Sequence, residues 1–240
     1  KSSKNTMAKY VFLNIGAHGH VNPTLAVVQE LVKRGHEVSY YLSEEFRSII
    51  EATGAVFRPH EVNPALREVM AGGGMFQPGN APAKMPNLKE ITAIPPDVLE
   101  RVRVERPDVI LYDSMCFWAR EVVDELHIPA ITFFTSYAAN KHFNIMDQMK
   151  AANAKGISGA AGMVAQMAKM GPSAFSLMKE FSRMASHFEE FNIVFIPKEY
   201  QPKAETFDES YLFVGPSILP RHDAPDFPFE QLKSNLPLLY

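Results

Sequence analysis

Short apolar runs alternate with helically spaced apolar positions through the first half of the chain. Residues 10–15 (YVFLNI) are a β-rich apolar run that stops at Gly16. Leu25, Val28, Leu31 and Val32 then recur at helical spacing and predict a helix over residues 23–34. Asn22 suits the N-cap of that helix, Pro23 its first turn and Gly35 the position just past its end. A strand over 37–42 (EVSYYL), a helix over 44–53 capped by Ser43 and closed by Gly54, and a strand over 55–58 follow. Strand, helix, strand, helix, strand with tight connections predicts a parallel α/β sheet of the Rossmann-like, doubly wound kind.

The pattern breaks over residues 60–94, where Gly72, Gly73, Gly74, Pro78, Gly79, Pro82 and Pro86 make a long irregular excursion. A helix over 95–105, a strand over 108–112 (DVILY), a helix over 115–126 and a strand over 130–134 (AITFF) resume the alternation. Residues 138–190 predict two or three helices and hold most of the chain's 12 methionines. Short strands are expected at 193–196 and 212–214. From Gly215 onward repeated prolines give a linker composition.

Composition narrows the class. The 240 residues are 46% apolar and 21% charged, with a net charge of −3, the balance of a globular protein and not of a nucleic-acid binder. No apolar run approaches the roughly 18–20 residues of a membrane span. The single Cys116 excludes an internal disulfide and a multi-cysteine zinc site, so a cytoplasmic protein is expected. Residues 1–6 read as a leftover ahead of a start at Met7.

The candidate chemistry lies after the first strand, in Gly16-Ala17-His18-Gly19-His20-Val21-Asn22-Pro23. This is neither G-x-G-x-x-G nor a P-loop. In a doubly wound sheet of order 3-2-1-4-5, the first and fourth strands are neighbours, and ligands bind beyond their carboxyl ends. His20, past strand one, then faces Asp113, at the end of strand four. A His–Asp pair is a general-base unit: the carboxylate fixes the tautomer and stabilises the imidazolium that forms. The competing role for Asp113 is to cap the next helix at Met115. His18 is expected to be structural. Zinc binding by His18 and His20 is disfavoured by their spacing and by the lack of a third ligand nearby. Cys116 is expected to be a buried small hydrophobe. No G-x-S-x-G elbow supplies a nucleophile, so the base should deprotonate a substrate hydroxyl.

At this point the residues are recognisable. The run FLNIGAHGHVNPTLAVVQELVKRGHEVSYYLSEEF, RPDVILYD at 106–113, IPAITFFTS at 128–136, IPKEYQP at 196–202 and YLFVGPSI at 211–218 resemble the N-terminal half of macrolide-type family 1 glycosyltransferases. The resemblance implies a GT-B fold and inverting transfer from a nucleotide sugar such as a UDP-sugar, used as co-substrate. It implies no metal, and the chain has no D-x-D. The family's base falls on His20 and its partner aspartate on Asp113. Gly19 falls beside the donor. The implied acceptor is a hydroxylated apolar small molecule, a macrolide or a flavonoid for instance. Met115, Phe134, Thr135, Ser136, Phe76 and Met146 are candidate acceptor-binding residues by position. The domains expected are an acceptor-binding unit over 7–214 and an interdomain linker over 215–240. That linker would lead to a donor-binding domain that the chain does not contain, so the chain alone is expected to be inactive. A non-catalytic small-molecule binding module of the same fold is the alternative. A nucleotide-binding flavodoxin-like protein is a weaker one, disfavoured by the missing phosphate fingerprint.

Overall fold

The computed structural model describes residues 6–60, 93–143, 189–219 and 230. Among them, seven strands form one parallel sheet: β1 Lys9–Leu13, β2 Glu37–Leu42, β3 Val56–Pro59, β4 Val109–Asp113, β5 Ala130–Phe134, β6 Phe191–Val194 and β7 Tyr211–Phe213. Their order is β3-β2-β1-β4-β5-β6-β7, with every neighbouring pair parallel. The expected order 3-2-1-4-5 is therefore present, extended by two strands. The helices of this part are α1 His18–Lys33, α2 Arg47–Glu51, α3 Pro96–Glu105 and α4 Phe117–Leu126.

Alternation along the strands sorts side chains onto two covered faces, as a parallel sheet requires. Val11 and Leu13 of β1 and Ile110 and Tyr112 of β4 meet Val98 and Val102 of α3 and Trp118 and Val122 of α4. Phe12 of β1, Tyr40 and Leu42 of β2 and Leu111 of β4 face the other way, against Val21 and Val28 of α1 and Ile50 of α2. A third cluster under the β5–β7 end holds Phe134, Ala138, Phe143, Val194 and Phe207.

Three expected details are corrected. α1 begins at His18, with Ala17 in the extended N-cap position, so Asn22 is not a cap and Pro23 lies inside the helix. The buried face of α1 starts at Val21 and Thr24, but His18, Gly19, His20, Asn22 and Pro23 around them hide that face from a reading of apolar spacing. Ser43 makes no capping hydrogen bond; its hydroxyl donates to Glu45, and a 3-10 turn at Glu44–Phe46 precedes α2. The helix expected to begin at 138 does not: Asn140 and Phe143 pair in a tight turn, with the Asn140 carboxamide oxygen accepting the Phe143 N–H at 2.8 Å. The rest of the methionine-rich segment, the 61–92 excursion and most of the 215–240 stretch lie outside the described residues.

The C-terminal end of α1 behaves as expected. Gly35 adopts φ +83°, the Gly35 N–H donates to Val32 and the His36 N–H to Leu31, which is a Schellman ending.

Candidate active site

The chain leaves β1 toward β2 on one side of the sheet and reaches β4 on the other. The crevice at the carboxyl ends of β1 and β4 is thus the topological switch point. Both candidate groups sit there. His20 is the third residue of α1, and Asp113 is the last of β4. His20 Nδ1 lies 2.7 Å from Asp113 Oδ2.

Asp113 is fully buried. A bare carboxylate in that position would be costly, so both of its oxygens need partners. Oδ1 accepts the Met115 N–H at 2.7 Å, while Oδ2 takes the imidazole. The expected helix-capping role is not what Oδ1 performs: the helix starts at Phe117 with Cys116 at its N-cap, and the Met115 bond instead closes the turn after β4. Cys116 N–H donates to the Asp113 carbonyl at 2.8 Å and closes the turn that follows the strand.

The His20 side chain is 27% exposed. Burial pushes its pKa down, but the hydrogen bond and the charge of Asp113 outweigh that, and the net direction is above the usual 6.5. The same carboxylate fixes the tautomer: Nδ1 carries the proton and donates it to Oδ2. Thr135 Oγ1 lies 3.2 Å from the same Nδ1.

The other expected residues are placed as follows. Gly19, the second residue of α1, is exposed, and a Cβ there would meet nothing within 4 Å. Met115 is half-buried and packs on the first core cluster. Phe134 is buried in the third cluster. Thr135 is half-buried and Ser136 exposed just past β5. Phe76 and Met146 lie outside the described residues. His18 is exposed and its ring rests on Phe46, centroids 4.8 Å apart. Cys116 is buried, and burial followed by the Asp113 charge pushes its thiol well up, so it stays a neutral thiol. Among the described residues no group of three or more His, Cys, Asp or Glu side chains could hold a metal ion. Among those residues, too, no helix is long and apolar enough to cross a membrane.

Two groups at this site went unread in the sequence. Thr135 was expected to touch the acceptor, not His20. Asn14 carried a signal: it is the one polar residue in an apolar strand run, and it is fully buried.

Known proteins share the sequence and the fold of this chain. Residues 10–93 match the glycosyltransferase family 28 N-terminal domain. NDP-glycosyltransferase YjiC of Bacillus subtilis is 31% identical over 222 residues, covering 88% of this chain and 52% of that protein. The oleandomycin glycosyltransferase of Streptomyces antibioticus is 28% identical over 220 residues, covering 89% of this chain and 49% of that enzyme. The crystal structure of the calicheamicin glycosyltransferase CalG4 superposes with a TM-score of 0.63 at 28% identity, covering 91% of this chain and 57% of that one. The chain is thus similar to the N-terminal domain of the family 28 and family 1-like glycosyltransferases, and it has the fold of the first half of a GT-B enzyme. It spans about half the length of the curated relatives it matches.

Proposed function

We propose that this chain is the acceptor-binding half of an inverting glycosyltransferase that moves a sugar from a nucleoside diphosphate to a hydroxyl of an apolar natural product. The observation that carries this reading is the 2.7 Å contact of His20 Nδ1 with the buried Asp113 at the switch point of the sheet. With Nδ1 turned to Asp113, Nε2 is the nitrogen that accepts the hydroxyl proton. The oxygen then attacks the anomeric carbon, the bond to the diphosphate breaks, and the diphosphate leaves with the electron pair. The imidazolium that forms is stabilised by Asp113. Met115, Phe134, Thr135 and Ser136 follow the carboxyl ends of β4 and β5, and in this reading the acceptor lies along that edge with Phe76 and Met146. The acceptor unit spans 7–214, the linker 215–240, and Gly19 faces the donor. The first donor to test is UDP-glucose, and in this reading no metal is required.

The relatives' activities, those of an NDP-glycosyltransferase and an oleandomycin glycosyltransferase, support the reaction class. The test is His20→Ala in a two-domain form that joins this chain to a donor-binding half. Sugar transfer is expected to fall by ~10²–10⁴-fold while acceptor affinity, read by fluorescence titration, stays within a few-fold. Near-normal turnover would remove His20 from the role of base.

A further inference from the structure

We infer that Asn14 is a positioning residue for His20, gripping the backbone of the base directly and, through Tyr40 and Thr24, gripping the residue after it. This rests on the proposed role of His20 as the base.

Asn14, just past β1, and Tyr40 of β2 are buried beneath the first turns of α1, where they meet Thr24, a buried residue of α1 itself. Their hydrogen bonds admit one orientation. Asn14 Oδ1 accepts the Ile15 N–H at 2.6 Å. The Asn14 amide nitrogen therefore donates twice, to the His20 carbonyl at 3.1 Å and to Tyr40 Oη at 2.7 Å. A flipped amide would set one oxygen against another at the His20 carbonyl. Since Tyr40 Oη accepts from Asn14, its own proton goes to Thr24 Oγ1 at 2.8 Å. The Thr24 proton goes in turn to the Val21 carbonyl at 2.7 Å. The His20 carbonyl is thus held by Asn14 from the end of β1, and the Val21 carbonyl by Thr24 of the same helix, whose hydroxyl Tyr40 of β2 orients. Burial also keeps the Tyr40 phenol protonated well beyond neutral pH, so the chain of donors keeps its direction.

The need for such a brace is local. Pro23 has no N–H to give the Gly19 carbonyl, and its ring crowds that carbonyl. The Ala17 carbonyl is shared by the N–H groups of His20 and Val21, both at 2.9 Å. Gly19 has no side chain to pack. The stretch that carries the base is therefore poor in bonds of its own, and the sheet supplies the missing ones. An apolar residue at 14 would serve core packing as well, but could not fix the height and rotation of His20 over Asp113.

The test uses this chain and nuclear magnetic resonance titration of the His20 ring. Wild type, Asp113→Asn, Asn14→Leu and Tyr40→Phe are compared, with folding checked by amide spectra. Asp113→Asn is expected to lower the His20 pKa by about one unit or more. Asn14→Leu is expected to lower it by roughly half a unit, and Tyr40→Phe by less, because the pair is loosened without loss of the carboxylate. If Asp113→Asn leaves the titration unmoved, the His–Asp pair itself fails, whatever Asn14 does. If Asp113→Asn moves it and a folded Asn14→Leu titrates as wild type, the positioning role of Asn14 is overturned. Should Asn14→Leu fail to fold, Tyr40→Phe decides: an unshifted His20 overturns the role and a lowered pKa supports it.

Discussion

His20 is pulled two ways, and the balance sets how it can work. Burial favours the neutral ring, while the charge on Asp113 favours the protonated one and prevails. A base must be neutral to accept a proton, so a raised pKa places the acid limb of the rate profile above about 6.5. Asparagine at 113 removes the charge that stabilises imidazolium, and the ring then deprotonates at lower pH. In a two-domain form, the Asp113→Asn acid limb of kcat/KM is therefore expected to move downward. The plateau falls at the same time, by about 10²-fold or more, because the imidazolium formed during proton transfer loses its partner. The two changes have opposite effects at mildly acidic pH, so a pH profile separates them where a single assay would not. An acid limb that stays in place would mean that Asp113 acts on His20 only as a scaffold.

The elements show where pattern reading succeeds and where it stops. Strand β5 falls on the residues its apolar run marks, and α1 ends at Gly35 as its glycine signals. Those features answer to core packing and backbone sterics, which leave periodic or single-residue marks. The start of α1 does not. His18, Gly19, His20 and Asn22 are polar or bare, and Pro23 reads as a boundary, yet all lie inside the helix. Here placement of a side chain over the crevice prevails over local preference, and the bracing comes from Asn14 just ahead of the helix and Tyr40 on the neighbouring strand, which helical periodicity cannot register. The His20–Asp113 pair was legible because strand order alone brings its two positions together. The contact with Thr135 depends on the path of the chain past β5, and no sequence pattern marks it. Element-level packing also makes a quantitative prediction. Gly54 has φ +86°, and a Cβ there would lie 2.8 Å from Val32 Cγ1 on α1. Gly35 has φ +83° but open space around it. Gly35→Ala is expected to cost about 1 kcal/mol, for the backbone conformation alone. Gly54→Ala adds the clash and is expected to cost ~2–4 kcal/mol. Equal urea midpoints for the two variants would show that α1 yields at Val32 without penalty.

At the scale of the molecule, the sheet positions, on the proposed reading, one side of a reaction. The switch point between β1 and β4 presents the His20–Asp113 pair, and the carboxyl edges of β4 and β5 flank it. A transferase must also hold the diphosphate of its donor, and the Gly16–Pro23 stretch has neither a dinucleotide fingerprint nor a P-loop with which to do so. Relatives such as YjiC are about twice the length that this chain covers. On the proposed reading, the acceptor and the donor are expected to bind to separable parts. Titration of a hydroxylated apolar acceptor into this chain should show saturable binding, whereas UDP-glucose should neither bind measurably nor be consumed. Addition of a separately expressed donor-binding half should restore transfer in proportion to complex formed, since association converts two weak encounters into one positioned pair. Transfer by this chain alone would mean that the crevice beside His20 holds the nucleotide sugar as well, and the division of labour between two halves would have to be abandoned. Acceptor binding without any transfer in the reconstituted pair would instead favour a binding module that has kept the geometry of a base and lost its use.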